Sequence, residues 1–354
     1  MVAQLLTSLS NLWSSTSPAL IYQPIDVQFA DQTSDYIQIQ QGRHYVRLWA
    51  AQIYLANKTA FLASWFPAIH SLARFDSLDT RVSYPSVNDA GRAALSQSPT
   101  SGDVIGRNFA LTPLIPFNGG TINLDAGLVA VQGANYLGNF ITTLSDFSAL
   151  LAVPQFSAAL KVADPLSKGL QSLLSIGGLH LALNDTLTTG SLGGYRIALR
   201  ATPQQVKPTD LRVRNSELRL ANQFDGLLSN PLSGYDFMLF RIEVTEQGPD
   251  YRSLTTIQSA MSSAHQSLKE GEDLKADGYY RQAIIAAHEA AELTNADRSR
   301  VKRQLMDDYK QLKVDLGSGL VGGEYDLSES MRKAISVSTA MEQGEPSWGE
   351  LFGS

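Results

Sequence analysis

The sequence predicts an α+β chain: a β-rich, antiparallel sandwich- or barrel-like domain carrying an apolar helical insertion, then a three-helix module and a flexible tail. Three observations predict it. Period-two alternation recurs through the first 250 residues, as in Asp35–Gln40 and Tyr195–Arg200. Apolar residues switch to three- and four-residue spacing between Asn135 and Ile176. Charge density roughly doubles after Pro249, where amphipathic helical patterns begin. A boundary near Gly248-Pro249-Asp250 follows. It divides the chain into an N-terminal extension (1–17), a β-rich domain (18–248) with the insertion at 135–176, a helical module (251–316), and a linker and tail (317–354).

Val2–Trp13 places Leu5, Leu6, Leu9, Leu12 and Trp13 at helical spacing, which reads as a short segment docked on the protein's own core or, alternatively, touching a membrane. The strands follow. Asp35–Gln40 alternates, and Tyr45–Trp49 is rich in β-formers, while Ala50–Phe66 fits either a strand or a helix. Residues 77–106, with Pro85, Gly91, Pro99, Gly102 and Gly106, read as a long loop. Phe109–Ile115 and Thr121–Gln132 flank Phe117-Asn118-Gly119-Gly120, which predicts a hairpin. Gly178–Leu187, Tyr195–Ala201, Leu211–Leu220 and Tyr235–Thr245 complete a sheet with one wet face.

The insertion repeats Leu137, Phe140, Ile141, Leu144, Phe147, Leu150 and Leu151, then Phe156, Leu160, Leu166, Leu170, Leu173 and Leu174. Pro154 and Pro165 mark helix starts, with Asp164-Pro165 as a cap and first-turn pair. These helices close one end of the β domain; the alternative is a groove for an apolar ligand or partner helix. Ala126–Ser145 is uncharged over a membrane-spanning length, but Gln132, Asn135 and Asn139 make it a poor span, so no transmembrane segment is expected.

Residues 253–316 predict three helices. Leu254–Glu270 aligns Leu254, Ile257, Met261, Ala264 and Leu268. Tyr279–Leu293 turns Tyr280, Ala283, Ile284, Ala287, Ala290 and Ala291 inward. Asp297–Leu316 repeats Val301, Leu305, Tyr309, Leu312 and Leu316, with Asp297 as cap. Gly278-Tyr279-Tyr280-Arg281-Gln282-Ala283-Ile284, then Ala290 and Leu293, is similar to the second helix of a tetratricopeptide repeat, with Gly271 at the small first-helix position. The pattern departs from that family at Ser267 and Asn295, and no second copy follows at the repeat period. Leu305–Lys313 resembles the third helix of a MIT (microtubule interacting and trafficking) domain. Both resemblances imply a small helical module that docks partner helices or peptides, with Tyr280, Ile284, Tyr309 and Leu312 holding it together. Gly317–Gly323 reads as a flexible linker. In the tail, Asp326–Met341 is one amphipathic helical pattern with Leu327, Met331 and Ile335 as anchors and Val337 as a further candidate, and Trp348, Leu351 and Phe352 follow; it reads as a docking segment or, alternatively, as a disordered end or one folded back on its own chain.

The 354 residues are 44% apolar and 18% charged, contain no cysteine and carry a net charge of −6. That excludes disulfide scaffolds, thiolate metal sites and cysteine nucleophiles, and it argues against a broadly basic nucleic-acid binder. No P-loop, no dinucleotide-binding glycine fingerprint and no Gly-x-Ser-x-Gly elbow occurs. Gly190–Gly194 reads as a turn. The histidines His44, His70, His180, His265 and His288 form no metal-ligand motif. Arg196, Arg200, Arg212, Arg214 and Arg219 would make a basic sheet face if their strands pair. No cofactor, catalytic residue or metal ligand is assigned, and the partner-binding residues stay unassigned.

The expected function is non-catalytic: an adaptor or scaffold subunit of a larger cytoplasmic assembly, with a protein partner, no nucleic acid, and membrane contact only through residues 2–13 or the basic face. Its layout is like that of accessory subunits of bacterial conflict systems, by analogy alone. The alternatives are a binding protein for a lipid or other apolar ligand, enclosed by the insertion and the β core, and an enzyme of unfamiliar type using His44, His70 or His180.

Overall fold

The computed structural model describes residues 20–56, 59–60, 63–76, 81–89, 105–132, 178–221 and 229–317. The N-terminal segment, the apolar insertion and the tail helix expected above lie outside these residues.

The described chain is an α+β mix of antiparallel sheets followed by three helices. The first sheet has the order β1 (Ile21–Pro24), β10 (Gly194–Leu199), β14 (Phe237–Thr245), β2 (Tyr45–Tyr54) and β6 (Ile105–Ala110), with the short β7 (Ile115–Pro116) also on β2. The second has the order β3 (Thr59–Ala60), β4 (Ala63–Asp76), β8 (Thr121–Gln132) and β9 (Gly178–Leu187), with β5 (Arg81–Asp89) also on β4. Inward residues of both sheets, among them Leu48, Met238, Phe240, Ile69, Leu124 and Leu183, form one buried core between them, the arrangement of a sandwich. A third, small sheet of β11 (Leu211–Arg214), β12 (Glu217–Ala221) and β13 (Ser229–Pro231) covers part of the first sheet's outer face, and a second apolar cluster fills that interface.

A β-bulge makes this three-layer packing possible. Leu239 pairs with Gln52 and the next residue, Phe240, with Ala50, so Ala51 is an extra residue in β2. Before it, Leu48 and Ala50 face the sandwich core. After it, Ile53 and Leu55 do, while Ala51 and Tyr54 face the small sheet. Gln52 is 1% exposed, and its Oε1 accepts the Leu218 amide at 2.7 Å, tying the small sheet to β2.

Several local expectations change. Thr121–Gln132 does not return along Phe109–Ile115: β8 pairs with β4 and β9, whereas β6 and β7 pair with β2. The turn at Phe117–Gly120, with positive φ at both glycines, instead carries the chain from one sheet to the other. It does so because both flanking runs need their apolar side chains in the same core. Part of the expected loop 77–106 is strand: Arg81–Asp89 pairs with β4 residue by residue, with Pro85 opposite Leu72. β4 is its only strand partner among the described residues, a placement a proline tolerates. Leu211–Leu220 is two strands, not one. Asn215 and Ser216, at φ 54° and 57°, make a tight two-residue turn of the kind that matches strand twist.

The C-terminal module contains α1 (Thr255–Lys269), α2 (Asp273–Glu289) and α3 (Asn295–Gly317), and its buried cluster runs from Tyr251 to Tyr309.

Candidate functional site

Local chemistry sets the helical module. Asp250 accepts the Arg252 amide at 3.0 Å and starts the turn that leads into α1. At the far end the Gly271 amide reaches the Leu268 carbonyl and the Glu272 amide the Ser267 carbonyl, with Gly271 at φ 72°. This is a Schellman cap, and it needs a residue that enters the left-handed region without strain. Gly271 therefore ends α1 rather than lying within it. Tyr280 and Tyr309 stack with centroids 4.4 Å apart, and both are buried. Ile284 and Leu312 are half-buried against them. Asp277, 9% exposed, accepts the Tyr309 hydroxyl and the Lys313 ammonium, each at 2.8 Å. Burial pushes the Tyr280 and Tyr309 hydroxyls well above the ordinary phenol range.

The module is sealed onto the sandwich. The Tyr45 hydroxyl accepts the Thr294 amide at 3.0 Å and donates to Asp297 Oδ2 at 2.6 Å. Asn118 donates to the Leu293 carbonyl and accepts the Asn295 amide, and the Ala296 amide reaches the Gly42 carbonyl. Thr294, not Asp297, caps α3, because its hydroxyl accepts the Asp297 amide at 3.2 Å. Asp297 is spent on Tyr45 and on Arg300, 2.8 Å away. A cleft of about 640 Å³ opens beside this seam, lined by Arg43, Glu246, Asp297, Arg300 and Arg303 among others. Its charges are largely matched: Arg43 pairs with Glu246 at 2.8 Å and Arg300 with Asp297. The first amides of α3 are already bonded, so this helix end offers no free donors to an anion. His44, 2% exposed, stands nearby; its Nδ1 accepts the Gln40 amide at 3.0 Å and its Nε2 faces Glu246 at 3.6 Å.

The outer face of α2 differs. Leu274 is 90% exposed and Ile285 53% exposed. They are eleven residues apart, about three helical turns, and so share one stripe. Gly278 lies between them on the same stripe, and a Cβ there would touch nothing. At the adjoining end of α3, which Lys313 and Asp277 hold against the start of α2, Val314 and Leu316 are 46% and 37% exposed. Leu316 continues the row of Val301, Leu305 and Tyr309, whose other members are buried. Half of the exposed large apolar side chains among the described residues thus sit on this one module.

The other expected sites separate. Arg212 and Arg219 do pair across β11 and β12, with Arg214 opposite Glu217. Arg196 and Arg200 are in the first sheet instead, where Arg196 bridges to Asp185 on the second and Arg200 lies 3.6 Å from Asp236. The five arginines do not form one face. Arg212 lies 3.5 Å over the Phe29 ring, and Arg219 pairs with Glu217. His44 precedes β2 in the first sheet, whereas His70 and His180 are on β4 and β9 of the second. Among the described residues no three His, Asp or Glu are placed to hold a metal ion, and no helix is long and apolar enough to cross a membrane.

Two buried carboxylate networks were not foreseen. Asp125, 3% exposed, is held by Arg74 and Asn184 on the second sheet. Asp35, 7% exposed, lies 3.3 Å from Arg241 Nε, at an angle that leaves both atoms without a hydrogen bond. Arg241 also reaches Gln32 and Glu243, and Glu243 accepts the Trp49 indole N–H at 2.6 Å. Burial raises the Asp35 carboxyl to about 6, against the pull of Arg241 and with help from Glu243 and Asp31. The Asp125 network is closed on itself, whereas the Asp35 network leaves Asp35 Oδ2 and Arg241 Nε unbonded; both tie strands and turns together and read as architecture. Their partners lie far apart in the sequence, so no local spacing could reveal them. No family model, no curated protein and no solved structure matches this chain.

Proposed function

We propose that the protein is a non-catalytic adaptor or scaffold subunit of a cytoplasmic assembly, and that it docks an amphipathic partner helix on the outer face of α2. One observation carries the reading: Leu274 and Ile285 stand exposed on a single helical stripe, with a glycine between them that the module's own packing does not require. Helix-in-groove recognition uses apolar anchors along one helical stripe; Leu274 and Ile285 lie on such a stripe eleven residues apart, and a small residue between them lets two backbones approach closely. The resemblance of the module to partner-docking helical families supports the same reading. The seam supports it too, because Tyr45, Asn118 and Gly42 hold the module against the sandwich and fix the direction in which α2 faces.

The test is a native pull-down with the tagged full chain and with its L274E/I285E double variant, read by mass spectrometry. Both positions are exposed, so the variant is expected to unfold at the same temperature as the parent. A stoichiometric protein recovered with the parent and lost with the variant establishes the reading. Equal recovery from both, or recovery of no protein from either, overturns it.

A further inference from the structure

The exposed stripe has a candidate occupant within the same chain. We infer that the tail segment beginning at Leu327 packs on the outer face of α2 as a fourth helix, so that the protein occupies its own docking face until a partner displaces it. The inference rests on the reading of that face as a helix-docking surface, and deepens it by naming an intramolecular ligand.

Three features of the chain carry it. The first is where the tail departs. The described helix α3 ends at Gly317, beside the start of α2, where Lys313 and Tyr309 meet Asp277. Leu274 is one turn from Asp277, so the tail leaves the module at the apolar end of the stripe.

The second is reach. Residues 318–326 are rich in glycine and span at most ~30 Å fully extended, with a flexible-chain average of about 16 Å. That is ample for a reversal of direction, after which the segment runs antiparallel to α3 and alongside α2. Short connections between helices favour such antiparallel neighbours.

The third is matched spacing. Leu327, Met331 and Ile335 recur every four residues, so they form one stripe about 12 Å long in a helix. Leu274 and Ile285 are about 16 Å apart along α2. Leu327 then meets Leu274 and Leu316, Met331 lies over Gly278, and Ile335 points toward Ile285. The long, flexible methionine falls where the glycine leaves room.

The chain contains no cysteine, so introduced thiols report without background. The experiment places Arg281→Cys, on the exposed side of α2, together with Arg332→Cys in the tail of the full chain. The control pairs Arg332→Cys with Gln258→Cys, which is exposed on α1 near the opposite end of the helical hairpin. Both are treated in dilute solution with a short bismaleimide and read by intact mass and peptide mapping. The expected result is an intramolecular crosslink that forms at least ten-fold faster for 281–332 than for 258–332. Equal rates overturn the inference, and a crosslink that appears only between chains and rises with concentration assigns the face to a second copy instead. The two readings fail separately. A captured partner without the preferential crosslink removes only the tail from the face, whereas the crosslink without a captured partner keeps the fourth helix and removes the adaptor.

Discussion

Tyr45 and Asp297 are 252 positions apart in the sequence and 2.6 Å apart in the fold. One phenol closes the joint between the sandwich and the helical module, because its oxygen also accepts the Thr294 amide. All three groups are buried. The Tyr45 hydroxyl is pushed well above the ordinary phenol range, chiefly by burial and then by its bond to Asp297. It therefore stays protonated and keeps donating at neutral pH.

Tyr45→Phe leaves a buried amide and a buried carboxylate without this partner. The cost of such unsatisfied groups is about 1–3 kcal/mol. The expected outcome is a lower urea midpoint with an unchanged slope, since the same surface is exposed on unfolding. A midpoint equal to that of the parent would mean that the seam contributes nothing to stability.

Gly248 tests the same joint by volume rather than by hydrogen bonding. A Cβ at this position would collide with the Tyr45 ring and with Asp297. Gly248→Ala should cost about 1–3 kcal/mol, the range for inserting a methyl group into a packed site. Combined with Tyr45→Phe it should cost less than the sum, because both changes loosen one contact. Strict additivity in a double-mutant cycle would show that the two residues are not coupled.

The sequence was most informative where structure is local. The three helices appear within a few residues of their expected limits because apolar spacing and caps are read within one helix, although α2 starts at Asp273, earlier than Tyr279. Long-range pairing was not legible. Thr121–Gln132 has good strand character whichever neighbour it chooses, and only the packing of two sheets sends it to β4. The bulge at Ala51 reverses the facing of β2 without any mark in the residue pattern. Asp297 shows how a site residue is misread: next to a helix start it looks like a cap, and only Tyr45, from the other end of the chain, reveals its role. Leu274 looks like a core residue by type, and its 90% exposure follows from where α1 and α3 happen to pack.

Asp35 predicts a pH dependence. Its carboxyl titrates at about 6 in the folded chain, above the ordinary value of 3.8. The folded state therefore holds this proton more tightly than the unfolded state does. Between about pH 4 and 6 the folded chain binds more protons, so this group's contribution to stability falls as pH rises and levels off above 6. Glu243, Asp31 and Arg241 surround it and set the size of the effect. Asp35→Asn removes the titration. Its stability relative to the parent should rise as pH goes from 4 to 6.5, and a constant difference between the two across that window would contradict the assignment.

Gly278 separates folding from docking. Within α2 a glycine costs about 0.5–1 kcal/mol relative to alanine, because it has more backbone freedom to lose. Nothing in the described structure requires it, since an added Cβ would meet open space and no positive φ is involved. Gly278→Ala should therefore stabilise the full chain by about that amount in urea denaturation. If an occupant helix approaches closest here, the same methyl group should weaken its docking, seen as a slower 281–332 crosslink or as reduced partner recovery. A variant that is both more stable and unimpaired in docking would mean that the occupant does not approach α2 at Gly278, and would move the contact toward Leu274 and Leu316 at the helix end.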